Sequence, residues 1–412
     1  MFNTVRVPTL RPGDAALSLK PSLTIVSLTL SSFRNYDSAR IEPSGGLIAL
    51  CGHNGAGKTN LLEAISLLTP GRGLRGVAFD DLVRSGQDKG WAVSALLDSP
   101  AGEVRLGTAW QAGTGENGEL ASGNSREVRI DGQVQRSAGA LSDYVRALWL
   151  TPAMDRLFAG PASDRRRFLD RLTATFDPSH GTRVNALDRL LRERNRLNSE
   201  ELQQARWLDS VEAQLAQTAV AVAAARNDAI AAVRSFITDT RQRGSERPFP
   251  WAEVIVDGEL EQQLIDRPAV QIEDEYRTLL ADSRGLDRAA GRTLRGPHRA
   301  DLLVSHGPRQ MQARLCSTGE QKALLIGLVL AQARAVRETF NGVAPLLLLD
   351  EVAAHLDDVR RAALMDELLE LGSQAWMTGT DRQLFEAASS CTEIYEVSDG
   401  HIAPGRPEQE TA

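Results

Sequence analysis

A glycine loop at residues 52–59 constrains the fold of this chain more than any other feature of its sequence. Its residues are Gly52, His53, Asn54, Gly55, Ala56, Gly57, Lys58 and Thr59, which fit the pattern G-x-x-x-x-G-K-[ST]. An apolar run at 47–51 precedes the loop, and the segment NLLEAISLL after it predicts a helix. A glycine turn that contains a lysine by chance would lack these two flanks. Because backbone N–H groups and a helix N-terminus attract phosphate oxygens, the loop predicts a triphosphate site, with Lys58 on the β- and γ-phosphates and Thr59 on Mg²⁺.

Two acidic residues end a second apolar run. Residues 346–351 read LLLLDE, a pattern typical of a buried strand that delivers carboxylates to one edge of a sheet. We expect Asp350 to bind Mg²⁺ and Glu351 to polarise the attacking water as a general base. The alternative is a core strand that ends in a solvated acidic pair, and the glycine loop favours the catalytic interpretation.

A helix start and a later aspartate complete the set of motifs. The segment LCSTGEQK at 315–322 places Ser317 and Gly319 where a helix would expose N–H groups and a hydroxyl to an anion, with Gln321 just inside the helix. An ordinary helix cap has the same composition. Asp357 follows the acidic pair within the segment AHLD.

The order of these motifs resembles that of the ABC-type ATPases, in which the S-x-G-x-Q helix contacts the γ-phosphate held by a second subunit. Asp357 then matches the D-loop of that class. The resemblance implies an α/β fold: an ABC-type P-loop ATPase head, with a mixed sheet and an antiparallel β subdomain, interrupted by a mostly helical lobe. It also implies ATP and Mg²⁺ as cofactors, and a homodimer that closes over ATP.

Further segments narrow the resemblance to one branch of this class. They are FRNY at 33–36, GKTNLLEAISLLTPGRGLR at 57–75, RRRFLDR at 165–171, LLRERNRLN at 190–198 and GPHRAD at 296–301. In this order they are similar to the RecF family of bacterial DNA replication and recombination-repair ATPases, which are related to SMC heads. The resemblance implies ATP-dependent dimerisation on gapped or single-strand/double-strand junction DNA. It also implies roles in recombinase loading with RecO and RecR and in SOS induction.

Two positions depart from the pattern of rapidly hydrolysing ABC proteins. Many of them have a histidine after the strand that follows the acidic pair, but residues 374–381 read QAWMTGTD here, so Thr380 or its neighbour takes that place. No convincing Q-loop glutamine follows the β-rich section, where LTPAMD occupies 150–155. Both departures favour a weak, DNA-stimulated ATPase in which hydrolysis acts as a switch.

Periodicity divides the chain into unlike parts. Alternating residues predict strands at 23–30 and between Trp91 and Gln135, where Asp131-Gly132 indicates a hairpin. The pattern is helical from Ser163 to about Ile237 and again over 319–339. We predict a flexible extension at 1–21, the first part of the head at 22–160, a helical lobe at 161–295 and the second part of the head at 296–412.

Composition excludes several classes of protein. The chain has 412 residues, of which 42% are hydrophobic and 25% charged, as in globular proteins with large cores. No apolar run approaches the ~20 residues that cross a bilayer, and no secretory signal pattern opens the chain, so we expect a cytoplasmic protein without a membrane partner. Cys51, Cys316 and Cys391 are scattered and odd in number, which argues against a disulfide framework or a metal knuckle.

DNA binding would depend on local clusters of arginine, because the net charge of −7 argues against a general polyanion binder. The predicted lobe carries arginines at 165, 166, 167, 171, 189, 192, 194 and 196. Those at 189, 192 and 196 share one helical face and could contact phosphates. A solvated face paired with acidic residues is the alternative. We expect recognition of DNA shape or junctions without sequence readout.

Other basic residues have more than one interpretation. Arg34 follows the first predicted strand and could contact the nucleotide, or it could be an ordinary surface arginine. Arg295, His298 and Arg299 could support the ATP interface instead of contacting DNA.

Other functional classes fit the motifs less well. The main alternative is the cytosolic ABC ATPase subunit of a membrane transporter, but the interval from Lys58 to Ser317 is far longer than in that class. A cohesin-like structural ATPase needs long heptad repeats between the motifs, for which this chain has no room. A plain P-loop kinase would leave the segment STGEQ unexplained.

Overall fold

Strands and helices follow one another in nearly the order that the sequence patterns predict. The computed structural model describes residues 23–86, 90–114, 120–121, 126–199, 205–242, 248–353, 356–388 and 391–405. The predicted extension at 1–21 lies outside these residues, as does most of the glycine-rich segment between 113 and 125.

The strands are β1 (Thr24–Phe33), β2 (Tyr36–Ile41), β3 (Leu47–Cys51), β4 (Trp91–Ser99), β5 (Gly102–Trp110), β6 (Gly113–Thr114), β7 (Leu120–Ala121), β8 (Glu127–Ile130), β9 (Gln133–Val134), β10 (Ala147–Leu150), β11 (Ala252–Asp257), β12 (Asp301–His306), β13 (Met311–Gln312), β14 (Leu346–Leu349), β15 (Ala375–Gly379), β16 (Thr392–Ser398) and β17 (His401–Pro404). The helices are α1 (Lys58–Ser66), α2 (Ala162–Phe176), α3 (His180–Ser199), α4 (Ala205–Gln242), α5 (Glu259–Gln263), α6 (Ala269–Asp282), α7 (Arg284–Ala290), α8 (Thr318–Thr339) and α9 (Asp358–Leu371). Short 3₁₀ turns lie at Asp80–Leu82, Ala138–Asp143, Pro152–Arg156, Pro297–Arg299, Gly307–Arg309, Ala313–Leu315 and Arg382–Ala388.

A mixed sheet carries the glycine loop and the acidic pair. Its strand order is β10-β14-β15-β3-β16-β17, with parallel pairing from β10 to β16 and one antiparallel neighbour, β17. Strands β3, β10, β14 and β15 are buried along their whole length. A parallel sheet covered on both faces needs continuous apolar strands, which explains why the runs before the glycine loop and before the acidic pair do not alternate.

An antiparallel sheet in the order β2-β1-β4-β5-β8-β9 forms the predicted β subdomain. The predicted hairpin is confirmed, because Asp131 and Gly132 join β8 to β9 with φ of 48° and 80°. Positive φ at both central residues is the geometry of a two-residue turn that matches strand twist. The Asp131 carboxylate also accepts a hydrogen bond of 2.9 Å from the Arg105 N–H, which ties the turn to β5.

The helical region has a hydrophobic core of its own. In it α3 and α6 pack against α4, around core residues that extend from Leu187 to Leu280. Helix α2 belongs instead to the larger core of the two sheets, through Phe168, Leu169 and Leu172. Among the described residues, no helix is both long enough and apolar enough to cross a bilayer.

A small sheet joins the helical region to the head. β11 lies inside the predicted lobe but pairs antiparallel with β12, which follows the boundary predicted at residue 295. β13 completes this sheet and leads into the segment before α8. The boundaries of the lobe at 161 and 295 stay a prediction.

Candidate nucleotide-binding site

The glycine loop connects the end of β3 to the start of α1, as the sequence predicts. Two of its glycines are required by close contacts as well as by positive φ. A Cβ on Gly52, whose φ is 156°, would lie 2.1 Å from the Val397 carbonyl oxygen. A Cβ on Gly57, whose φ is 119°, would lie 2.5 Å from the Asn35 amide nitrogen. No side chain fits at either position without moving the neighbouring backbone or side chain, so the loop holds a tight curve suited to phosphate oxygens.

Lys58 lies inside this loop and is only 5% exposed. Its Nζ donates hydrogen bonds to the carbonyl oxygens of Gly52, at 2.5 Å, and His53, at 2.9 Å. Burial lowers the pKa of Lys58, while the carboxylates of Glu351 and Asp350 act in the opposite direction. The ammonium is therefore held at the centre of the loop by groups that a phosphate can replace.

Side chains of the segment FRNY at 33–36 donate hydrogen bonds to the backbone of the glycine loop. Asn35 donates from Nδ2 to the Ala56 carbonyl oxygen at 2.9 Å, and Tyr36 donates from its hydroxyl to the Gly57 carbonyl oxygen at 3.0 Å. Asn60 of α1 donates to Asn35 Oδ1 at 2.7 Å. The sequence patterns gave Asn35 and Tyr36 no role beyond the family resemblance, so their contacts with the loop were missed. Backbone carbonyls far away in sequence leave no local pattern that could have revealed them.

The acidic pair lies beside the loop, because β14 and β3 are parallel strands flanking β15 and end at the same edge of the sheet. The Thr59 hydroxyl donates to Asp350 Oδ1 at 2.8 Å, which brings the two predicted Mg²⁺ ligands into direct contact. Asp350 is 5% exposed, and its backbone N–H donates to the Leu150 carbonyl oxygen at 2.9 Å. Glu351 is the next residue and has a left-handed backbone, with φ of 54°.

Thr378, near the end of β15, is a site residue that the sequence reasoning missed. Its hydroxyl donates to Asp350 Oδ1 at 2.9 Å, and its oxygen accepts from the Glu351 N–H at 2.8 Å. Thr380, considered at the sequence level for the place of the missing histidine, lies beyond the end of β15 and is exposed. The threonine that touches the acidic pair is therefore two residues earlier.

The segment LTPAMD begins at this edge of the sheet as well. β10 pairs in parallel with β14, so that Thr151 follows the strand next to the acidic pair. The segment then forms the turn Pro152–Arg156, where Asp155 lies 3.5 Å from Nζ of Lys322 in α8. Trp149 and Met154 are buried, as expected of core residues.

The start of α8 is open to solvent at two of the three predicted positions. Ser317 and Gly319 are exposed, and apart from its chain neighbours and the backbone of its own helix no atom lies within 4 Å of where a Gly319 Cβ would be. The Ser317 N–H and hydroxyl both donate to Glu320 Oε2 at 2.9 Å. Gln321 is buried and donates to the Cys316 carbonyl oxygen at 2.9 Å, so its side chain supports the segment from inside.

Asp357 caps α9, since its carboxylate accepts a hydrogen bond of 2.8 Å from the Arg360 N–H. The neighbouring Ala354 and His355 lie outside the described residues. The segment LCSTGEQK at 315–322, here called the signature segment, and Asp357 thus both cap helices in this chain, and contact with a second subunit stays a prediction.

Known proteins resemble this chain over nearly its whole length. The family model described as the RecF/RecN/SMC N terminal domain matches residues 24–403. The DNA replication and repair protein RecF of Mesorhizobium japonicum is 50% identical over 93% of this chain and 99% of its own length. The chain belongs to the RecF family. The protein of the same name from Brucella suis is 49% identical over 92% of this chain and 96% of its own length. Membership in this family of DNA replication and repair proteins does not favour the transporter alternative.

Solved structures confirm the predicted fold class. A structure described as the recombination mediator protein RecF with ATP in the RecFOR pathway has a TM-score of 0.78 and 23% identity, and covers 94% of this chain and 99% of that chain. An SMC head bound to the winged-helix domain of ScpA has a TM-score of 0.52 and 16% identity, and covers 93% of this chain and 98% of that one. At these identities the likeness concerns the fold alone, which is the ABC-type head with an inserted helical region.

Arg34 of this RecF-family chain is bound by protein groups. Its guanidinium donates to both carboxylate oxygens of Glu63, at 3.0 and 3.2 Å, and to the Asp81 carbonyl oxygen at 2.9 Å. Glu63 is fully buried in α1 and also accepts from Arg75 at 2.8 Å. Two arginines share one carboxylate directly behind the glycine loop. Contact of Arg34 with a nucleotide stays a prediction.

The arginines of the helical region divide into structural and exposed groups. Arg165 forms a two-point ion pair with Asp301, and the Arg171 guanidinium lies 4.9 Å from the centre of the Trp149 ring. Arg194 has no exposed side-chain surface, so it is not available to DNA in this conformation. Arginines 189, 192 and 196 are exposed on α3, as their helical spacing predicts.

The junction between helical region and head holds the remaining basic candidates. Arg295 pairs with Glu259, while a ring nitrogen of His298 lies 3.0 Å from the Thr293 carbonyl oxygen. Burial lowers the pKa of His298, and the nearby Arg299 and Arg166 act in the same direction. Arg299 itself is exposed. A role of these residues at an ATP interface stays a prediction.

Proposed function

We propose that this chain is an ATP-binding, DNA-binding protein of DNA replication, recombinational repair and SOS induction. ATP closes two copies into a homodimer on DNA, and slow hydrolysis releases it. One observation carries the nucleotide part: the loop that holds Lys58, the Thr59 hydroxyl and the Asp350 carboxylate meet at one edge of the mixed sheet. The names of its relatives support the role in replication and repair.

The residues present suit Mg²⁺ bound together with ATP. Thr59 and Asp350 offer two oxygen donors 2.8 Å apart, and Mg²⁺ prefers oxygen ligands from few side chains together with phosphates and water. When bound, the ion supplies positive charge that neutralises the phosphates. Lys58 would leave the carbonyl oxygens of Gly52 and His53 and donate to the β- and γ-phosphates, and free N–H groups of the glycine loop would surround them.

Hydrolysis needs a base and a completed site. Glu351 would accept the proton of the attacking water. Ser317, Gly319 and Asp357 of the second copy would approach the γ-phosphate, since the first two are exposed at the start of a helix whose N-terminus favours an anion. With an exposed Thr380 in place of a histidine directly after β15, we propose that turnover is weak and DNA-stimulated.

DNA would contact phosphate-binding arginines in the helical lobe, which we place at 161–295. Arg189, Arg192 and Arg196 form one exposed face of α3, and arginine contacts with phosphates supply affinity without sequence readout. Gapped or junction DNA in the cytoplasm is the proposed substrate. RecR and RecO are proposed partners, in keeping with the RecFOR pathway in which related structures are described.

Sedimentation of the protein with gapped duplex DNA, with and without ATP and over a series of salt concentrations, tests this function. We expect an ATP-dependent dimer that binds DNA and weakens as salt rises, because phosphate contacts release counterions. Lys58→Ala should lose ATP binding and the ATP-dependent dimer together. Dimerisation of that variant with ATP would contradict the model in which ATP is held between two copies. Sedimentation that does not depend on DNA, with or without ATP, would leave only the nucleotide site.

A further inference from the structure

A buried hydroxyl joins the two acidic residues of the nucleotide site. Thr378 is 1% exposed and follows three residues of β15 that are equally buried: Ala375, Trp376 and Met377. A hydroxyl in such apolar surroundings destabilises the fold unless it is hydrogen-bonded. The Thr378 hydroxyl makes two hydrogen bonds, and their partners are Asp350 and Glu351, the two residues that follow β14.

The direction of these hydrogen bonds follows from atom counting. A hydroxyl has one hydrogen to donate. The Glu351 N–H can only donate, so the Thr378 oxygen accepts at 2.8 Å, and the single hydroxyl hydrogen is left for Asp350 Oδ1 at 2.9 Å. The same Oδ1 accepts from Thr59 at 2.8 Å. Asp350 is therefore held from two sides by hydroxyl groups on α1 and β15.

Glu351 is held in a strained backbone conformation. Its φ of 54° lies in the left-handed region, which is unfavourable for a residue with a side chain. The hydrogen bond from its N–H to Thr378 favours this turn of the chain. Among the acidic groups that raise the pKa of Lys58 against the effect of burial, Glu351 acts most strongly and Asp350 next.

We propose that Thr378 is a positioning residue for both acids of the site: it orients the Asp350 carboxylate toward the bound cation and sets the direction of Glu351 toward the reacting water. This inference rests on the proposed ATPase function. The Thr378 hydroxyl would then link cation binding by Asp350 to proton transfer by Glu351.

Thr378→Val tests the proposal, because valine keeps the shape of threonine and removes the hydroxyl. Thr378→Ser keeps the hydroxyl and serves as the conservative variant. Thr392→Val is a matched control: Thr392 is a buried threonine of β16, 9% exposed, whose hydroxyl has no hydrogen-bond partner among the described residues. It lies beside Leu47, at the end of β3 remote from the loop.

Two measurements on the full chain separate positioning from stability. The first is the Mg²⁺ concentration that half-saturates binding of a fluorescent ATP analogue, which needs no hydrolysis. The second is the steady-state rate of ATP hydrolysis, from which kcat and KM for ATP are obtained separately. We expect Thr378→Val to raise the half-saturating Mg²⁺ concentration and to lower kcat, each by about tenfold to a hundredfold, the range for losing a hydrogen bond to a charged group. Thr378→Ser should keep both quantities within about threefold of their wild-type values. Thr392→Val should have the wild-type values of both.

The outcomes are distinct. Unchanged Mg²⁺ dependence and kcat in Thr378→Val, with an active wild type, would overturn the positioning role alone. A lower melting temperature with unchanged Mg²⁺ dependence would also overturn it, since only a structural role would remain. If Thr378→Val does not fold, Thr378→Ala gives the same test, because it too removes the hydroxyl. A wild type without Mg²⁺-dependent ATP binding would overturn the proposed function as well.

Discussion

Removal of the buried Arg194 should destabilise the helical region strongly, while the exposed arginines that we propose to contact DNA stay in place. The guanidinium donates to Glu212 at 2.9 Å, to Asp287 at 2.7 Å, to Thr293 at 2.8 Å and to the Leu280 carbonyl oxygen at 2.7 Å. The side chains of Arg194, Glu212 and Asp287 are at most 2% exposed. These contacts tie α3 to α4 and to the segment around α7.

The magnitude follows from what remains after the substitution Arg194→Met. Breaking a buried ion pair by removing one partner costs about 3–5 kcal/mol, because the other charge is left buried. Here Glu212 keeps its ion pair with Arg284, and Asp287 keeps hydrogen bonds from Ser283 and the Leu294 N–H, at 2.8 and 3.1 Å. We therefore expect Arg194→Met to lower the free energy of unfolding by about 3 kcal/mol, the lower end of that range. This corresponds to a fall in melting temperature of roughly 6–12 °C for a region of this size.

Thermal unfolding followed by circular dichroism measures this change, and Arg192→Met is the matched control on the same helix. Arg192 is exposed, so its replacement should change stability by no more than about 0.5 kcal/mol. It should instead reduce, by about one unit, the slope of the logarithm of DNA affinity against the logarithm of salt concentration. Equal melting of the two variants, or weaker DNA binding by an Arg194→Met protein of normal stability, would refute the division into structural and exposed arginines.

Three further results are expected. Glu351→Gln should slow phosphate release by about 10²–10⁴-fold and retain an ATP-bound dimer in gel filtration; normal turnover would remove Glu351 as the base. Ser317→Arg should block dimerisation while the monomer still binds ATP, and loss of both activities would indicate misfolding. Hydrogen bonds from the Ser317 N–H and hydroxyl hold the pKa of Glu320 below its usual 4.5. The Glu320 carboxylate therefore stabilises the fold fully above pH 4.5, and this stabilisation is lost as the pH falls through the lowered pKa. The melting temperatures of the wild type and of Glu320→Gln should then converge in acid. A constant difference between them would contradict this.

Local chemistry explains which parts of the site could be predicted from the sequence. The glycine loop and the acidic pair are each continuous in sequence, so their residues had to be adjacent in space once strand and helix formed. The same holds for the hairpin at Asp131-Gly132. Thr378 was missed because it contacts residues 27 and 28 positions away, across two parallel strands. A threonine in an apolar strand is ordinary in sequence, and only the register of β14 and β15 gives it a role.

The burial of Arg194 could have been foreseen in part. It lies on the helical face of α3 that carries the buried Leu187, Leu190, Leu191 and Leu197. An arginine on a buried stripe indicates a satisfied core charge rather than a solvent-exposed one. Its partners Glu212 and Asp287 come from other helices, and their identity depends on packing that no local pattern encodes.

The small sheet of β11, β12 and β13 has a mechanical consequence. β11 and β12 are joined by a ladder of six residue pairs, from Ala252–His306 to Asp257–Asp301. β11 follows α4 of the helical region, and β13 ends shortly before Ser317 at the start of α8. A force that pulls on the helical region would therefore load a hydrogen-bonded ladder directly connected to the signature segment. In the DNA-bound dimer that we propose, the stiffness of that ladder would influence how much of a strain on the DNA reaches the ATP interface.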